Sequence, residues 1–171
     1  ELRRRIGYEI NMAKAGKEAR IILKMNALQD PAMIDELYKA SEAGVKIDLI
    51  VRGICCLIPN QPYSRNIRIT RIVDSFLEHA RVWYFHHGGK PLLFMGSPDW
   101  MRRNLYRRIE AVTPILDEDL KQQLIDMLVI QLKDNRKAGW VDENLNNVLK
   151  RNPKEEPVRA QYAFYEYLKG K

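Results

Sequence analysis

An apolar run, a capped helix and a second apolar run follow one another between Ala19 and Ile58, and that order constrains the fold more than any other feature of the chain. Ala19 to Asn26 (ARIILKMN) begins apolar and then alternates through Lys24 and Asn26, as a strand does when its far end turns polar. Asp30-Pro31 reads as a helix cap followed by proline in the first turn. Ile34, Leu37 and Ala40 keep helical spacing, and Gly44 supplies the stop. Val45 to Ile58 (VKIDLIVRGICCLI) is nearly continuous in apolar residues, the pattern of a strand covered on both faces. Strand, helix and strand in so short a stretch make a βαβ unit, so the expected architecture is α/β, a mixed sheet flanked by helices.

The rest of the chain extends that plan. Leu2, Ile6, Ile10 and Ala13 recur at helical spacing before a stop at Gly16. Pro59 to Arg65 is a loop, 66–73 alternates weakly, and 74–79 fits either a helical turn or the approach to a strand. Ala80 to Phe85 and Pro91 to Met95 are short strands joined across the turn His86-His87-Gly88-Gly89, with both histidines expected to be exposed. Arg107 to Thr113 is a further predicted strand. Asp117 caps a helix with Glu118 and Asp119 in its first turn and with Leu120, Leu124, Met127, Leu128 and Leu132 in a 3.6-residue period. A polar connection from Asp134 to Glu156 leads to a last helix opening at Pro157.

Length and charge narrow the function classes. A chain of 171 residues fits one domain, and its formal charge of +7 favours anionic partners. No apolar run approaches the ~20 residues of a membrane-spanning helix. The opening Glu1-Leu2-Arg3-Arg4-Arg5 has neither an initiator Met nor an apolar signal region, so the chain is expected to be a single domain, residues 1–171, cut from a longer multidomain protein. Cys55 and Cys56 are adjacent; a bridge between neighbours would be strained and no metal-ligand spacing accompanies them. They are expected to be two small buried hydrophobes in a protein of the reducing cytosol, and no metal ligand is expected in the chain. Walker loop, GxGxxG, HExxH, paired CxxC and GxSxG patterns are all missing from the sequence.

Several residues sit where a purely structural role is harder to supply. Arg52 lies within or at the carboxyl end of the most buried-looking strand, where a guanidinium needs an anion: a buried carboxylate, or a phosphate gripped by its planar fork. His79, between Glu78 and the strand from Arg81, is either a satisfied polar residue or a reacting one. Arg108 and Glu110 share a face of the predicted strand, as a surface ion pair or as the wall of a phosphate site. Gln161 interrupts the apolar stripe Val158, Tyr165, Leu168, either to hydrogen-bond a neighbour's backbone or to reach a pocket.

The segments Lys24-Met25-Asn26-Ala27-Leu28, Ala43-Gly44-Val45, Leu49 to Cys56 (LIVRGICC), Phe76-Leu77-Glu78-His79, Asp99-Trp100-Met101 with Asn104, and Val158-Arg159-Ala160-Gln161 together resemble the carboxyl-terminal domain of bacterial polyphosphate kinase, the long-chain polyphosphate-synthesising type. The resemblance runs over essentially the whole chain. It implies a phospholipase D-like half-domain within a four-domain, oligomeric, cytoplasmic or membrane-associated enzyme that moves the terminal phosphate of ATP reversibly onto polyphosphate with magnesium. It also implies that Arg52 and His79 contact phosphates and that Arg108, Glu110 and Gln161 line the same site. His79 would serve as general acid or base or as a hydrogen-bond donor, and the histidine that is itself phosphorylated would belong to a preceding domain, leaving this piece inactive alone. Phospholipase D-like proteins use His-x-Lys with a Gly-Ser turn; here His79-Ala80-Arg81 and Gly96-Ser97 stand in those places. A phosphodiesterase or nuclease half-site, or a basic nucleic-acid-binding domain built on Arg102-Arg103 and Arg107-Arg108, are the alternatives; nucleic acid is not expected as an obligatory partner.

Overall fold

A computed structural model describes residues 1–151 and 154–170. Apolar alternation places the strand side chains on two faces of one mixed sheet. In chain order its strands are β1 (Arg20–Met25), β2 (Lys46–Val51), β3 (Ile67–Ile72), β4 (Arg81–Phe85), β5 (Leu92–Gly96), β6 (Val112–Pro114), β7 (Ala138–Val141) and β8 (Asn147–Leu149). They lie in the order β6-β5-β4-β1-β2-β3-β7-β8, with β1, β2 and β3 parallel and every other pairing antiparallel. The helices are α1 (Leu2–Lys14), α2 (Pro31–Glu42), α3 (Arg102–Arg107), α4 (Glu118–Lys133) and α5 (Ala160–Lys169). Among the described residues no helix is long and apolar enough to cross a membrane.

The predicted βαβ unit is present. Asp30 caps α2 by accepting from the Met33 N–H at 3.0 Å, Pro31 opens the helix, and Gly44 leaves it with φ of 98°, a left-handed conformation that favours glycine. Under α1 and α2 the strands present Ile21, Leu23, Met25, Leu49, Val51, Ile69, Trp83 and Phe85, which pack with Ile6 and Leu37 into the main core. The opposite face packs Ile22, Ile50, Ile72, Val82 and Leu93 beneath Leu124 and Leu128 of α4. The result is a helix–sheet–helix sandwich.

Six expectations need correction. The second strand ends at Val51, not Ile58, because the chain turns at Arg52-Gly53: the Gly53 N–H donates to the Asn26 carbonyl at 2.8 Å, and a Cβ on Gly53 would lie 2.9 Å from that same oxygen. Cys55 beyond the turn is buried, whereas Cys56 is exposed. Residues 107–113 are not a strand. Arg102–Arg107 is helical, Arg108 caps it, Glu110 lies in the following loop and only Val112–Pro114 pairs with β5, so Arg108 and Glu110 share no strand face. The polar connection 134–156 contains the β7–β8 hairpin, and the last helix starts at Ala160 rather than Pro157. His86 and His87 are half-buried, with the His87 N–H donating to Glu9 at 2.6 Å and its ring against Tyr8. Asn152 and Pro153 of that connection, and Lys171, lie outside the described residues.

Candidate functional site

Topology brings distant segments to one edge. Because β1, β2 and β3 run together while β4 runs against β1, the carboxyl ends of the parallel strands meet the amino end of β4, the carboxyl end of β5 and the amino end of β6. The chain order reverses on either side of β1, with β2 and β3 on one flank and β4 and β5 on the other. Crevices at such reversals are where open α/β sheets bind ligands. Along this edge stand Ser97 at β5, His79 and Arg81 at β4, Asn26 at β1 and Arg52 at β2, spanning three inter-strand spacings of about 4.8 Å each.

Buried carboxylates organise the edge. Asp99 is 7% exposed. Its Oδ1 accepts from the backbone N–H groups of Asn26 (2.8 Å) and Ala27 (3.1 Å) and from Arg81 Nε (3.3 Å), while its Oδ2 accepts from Arg81 Nη2 (3.1 Å). Burial opposes ionisation of Asp99, but the Arg81 guanidinium and the two backbone donors outweigh it and hold the carboxyl below its ordinary value. Glu78 is the second hub. It accepts from Lys24 Nζ at 2.7 Å, Gln131 Nε2 at 2.6 Å and Gln161 Nε2 at 2.9 Å. Burial alone would raise the Glu78 carboxyl, yet Lys24 and the amides of Gln161 and Gln131 bring it below its ordinary value.

The two arginines at the crevice differ in what they have left to offer. Arg81 spends Nε and Nη2 on Asp99 and Nη1 on His79, whose carbonyl accepts at 2.8 Å and whose Nδ1 lies at 3.0 Å. Arg52 is anchored only through Nε, which donates to Asn26 Oδ1 at 3.1 Å; among the described residues its two Nη groups meet no protein acceptor. His79 is exposed beside it on the other flank of β1.

Arg52 and His79 stand on either flank of β1 at the same sheet edge, whereas Gln161 reaches only the Phe76–Glu78 segment that leads to His79. Gln161 is 8% exposed and its amide is spent inside the chain: Oε1 accepts from the Phe76 N–H at 2.9 Å, and Nε2 donates to the Phe76 carbonyl at 2.8 Å as well as to Glu78. Of the two roles open to Gln161 in the sequence, the backbone-bonding one is realised. Arg108 and Glu110 stand farther along, where they line a cavity of about 410 Å³ with Arg5, Trp83 and Phe94 on the α1 side of the sheet. Glu110 accepts from the Ser97 hydroxyl and from Asn104 Nδ2 (2.6 Å), and these bonds, Ser97 first, lower its carboxyl and fix the Gly96-Ser97 turn.

Glu78 and Asp99 carry no site signal of their own in the sequence, and Arg81 enters there only through the His79-Ala80-Arg81 resemblance. A lysine facing inward in an otherwise apolar strand was the one local signal available for Lys24. A cavity of about 640 Å³, lined in part by Arg20, Asp48, Arg68 and Trp140, holds none of Arg52, His79, Arg108, Glu110 and Gln161. It lies over the amino-terminal half of the parallel strands, away from the crevice.

Comparison with known proteins joins this geometry to a family. The family model for polyphosphate kinase C-terminal domain 2 matches residues 1–161. Polyphosphate kinase of Yersinia pestis is 49% identical over 166 residues, covering 96% of this chain and 24% of that protein. The crystal structure of polyphosphate kinase from Porphyromonas gingivalis superposes with a TM-score of 0.97 at 59% identity over 98% of this chain and 26% of its own. The fold alone is shared with the phospholipase D family member Nuc from Salmonella typhimurium, with a TM-score of 0.53, 13% identity and coverage of 84% and 89%. The chain thus spans about a quarter of the length of the curated relatives it matches.

Proposed function

The chain belongs to the polyphosphate kinase family as a C-terminal domain, and from that premise we propose that its carboxyl edge supplies phosphate-binding groups to a site that transfers the terminal phosphate of ATP reversibly to polyphosphate. The observation that carries this reading is the pair at the crevice. Arg52 is fixed at Nε with both Nη groups free of protein acceptors among the described residues, and His79 is exposed across β1 from it.

Phosphoryl transfer asks a protein mainly to position its reactants and to stabilise spreading charge. Arg52 would clamp non-bridging oxygens through its free fork. His79 would donate a hydrogen bond to the transferring phosphate or move a proton there. Arg108 and Glu110 would line the continuation of the phosphate path, and Gln161 would act by holding the Phe76–Glu78 segment that carries His79. Magnesium, the ion expected with ATP, finds no cradle here. The described residues contain no cluster of three metal-ligating side chains, and the carboxylates of Asp74, Glu78, Asp99 and Glu110 are each taken by protein donors. No step is therefore routed through a metal held by this chain. On this proposal the residue that becomes phosphorylated belongs to the other three-quarters of the enzyme, and the setting is an oligomeric protein that is cytoplasmic or membrane-associated.

The purified chain should make no polyphosphate from ATP, bind polyphosphate weakly with affinity that falls as salt rises, and lose that binding in Arg52→Ala. Synthesis by the chain alone would contradict the divided site, and unchanged binding in Arg52→Ala would remove Arg52 from it.

A further inference from the structure

Arg81 occupies the place where a cation would be expected to reach a phosphate, yet its geometry turns it inward. Its side chain is 13% exposed, and Nε, Nη1 and Nη2 all have protein partners. We propose that Arg81 is a brace rather than a ligand, and that Asp99 is the positioning residue that locks Arg52 and His79 into one rigid unit. This rests on the reading of the crevice given above and deepens it.

Two arms leave the one carboxylate. The first runs from Asp99 Oδ1 to the backbone N–H of Asn26, whose own side-chain oxygen receives Arg52 Nε. The second runs from both Asp99 oxygens to Arg81, whose Nη1 donates to the carbonyl of His79 and touches its ring. Asp99 itself cannot drift. Its neighbour Trp100 is fully buried, donates its N–H to the Ala27 carbonyl at 3.0 Å, and accepts from Gln29 and Asp30 at 2.8 Å each. Residues more than seventy positions apart are thereby fixed to one point.

The chemistry requires an aspartate. Four donors converge on two oxygens, and two of the four belong to a guanidinium that has little water to turn to. Asparagine has one acceptor oxygen, so in Asp99→Asn either the backbone at Asn26 and Ala27 or the guanidinium of Arg81 loses its partner, and the amide N–H₂ faces another donor. Displacing a positioned group by about 1 Å costs on the order of 10²-fold in rate.

The test uses full-length polyphosphate kinase carrying this domain. Asp99→Asn should lower kcat by roughly 10²-fold while KM for ATP moves by much less, because both bound and unbound states keep Arg52 and His79 but lose their alignment. Arg81→Gln should lower kcat similarly, and the double variant should be no worse than the weaker single, since both break one unit. Arg52→Ala serves as the control on the underlying reading. If it leaves activity intact, the crevice itself is misassigned; if it abolishes activity while folded Asp99→Asn stays within about twofold of the parent, the brace alone is refuted. Losses that multiply in the double variant refute it too. Should Asp99→Asn give no cooperative melt, Arg81→Gln decides, because it leaves the Asp99 bonds to Asn26 and Ala27 in place: a kcat loss at unchanged melting temperature and unchanged KM for ATP and polyphosphate upholds the proposal, whereas full activity, or a loss carried by KM, overturns it.

Discussion

The two faces of the sheet solve different problems with the same strands. Toward α1 and α2, β1 presents Ile21, Leu23 and Met25 and β2 presents Ile47, Leu49 and Val51, all within 1% of full burial. Toward α4 and α5 the same strands present Arg20, Ile22 and Lys24, and Asp48 and Ile50, so charge alternates with hydrocarbon. One face is a dry layer that holds the domain together. The other carries two ion pairs, Arg20–Asp48 and Lys24–Glu78, and the second of these lies directly beneath the crevice. Apolar burial is thus densest on one side, and the Lys24–Glu78 pair, costly to bury, sits where it supports the crevice.

That contrast can be broken most sharply at Glu78. With Lys24 and Glu78 side chains 7% and 12% exposed, Glu78→Ala strands a buried ammonium and is expected to cost about 3–5 kcal/mol in urea unfolding. Replacing both, Lys24→Met with Glu78→Leu, should recover most of that loss and yet weaken polyphosphate synthesis in the full enzyme, because Gln161 and Gln131 lose their acceptor. A cost under about 1 kcal/mol for Glu78→Ala would mean that the pair is solvated and the contrast false.

On the dry face, Leu49→Ala should cost about 2–5 kcal/mol and leave polyphosphate affinity unchanged in the protein that remains folded. A smaller loss, about 1 kcal/mol, is expected for Asp30→Ala, which removes the cap of α2 without touching the crevice. The smallest effect is a matter of pH. Arg159, donating to Asp74 at 2.8 Å, holds that carboxyl at about 2 against an ordinary 3.8. Because the folded value is the lower one, the stabilisation is complete above about pH 4 and is lost as pH falls through about 2. Melting temperature should therefore fall less steeply over that window in Asp74→Asn than in the parent.

Much of this was legible in the sequence, and the exceptions share a cause. The β1–α2–β2 unit, the β4–β5 hairpin and α4 announce themselves through local period and caps: Asp30 and Asp117 each bond the N–H three residues on. The short helix α3 did not, because with six residues it has too few turns to show a period, and the alternation of Ile109, Ala111 and Thr113 mimics a strand. The β7–β8 hairpin was hidden because all three residues of β8 are exposed, so no apolar alternation marks it. At the site, Arg52 and His79 stood out as polar groups beside apolar strands. Asp99 and Glu78 did not, since what makes them important is who meets them across 73 and 54 positions of chain. Local pattern cannot carry that information.

In the proposed site the carboxyl edge of the parallel strands grips phosphate through Arg52, whose Nη groups meet no protein acceptor among the described residues. Steady-state synthesis of polyphosphate from ATP by full-length enzyme carrying Arg52→Ala tests it most directly, read beside a thermal melt of the same protein. The variant's kcat should be lower by about 10²- to 10³-fold at an unchanged melting temperature; a folded variant that keeps the parent's rate within about twofold removes Arg52 from the phosphate site.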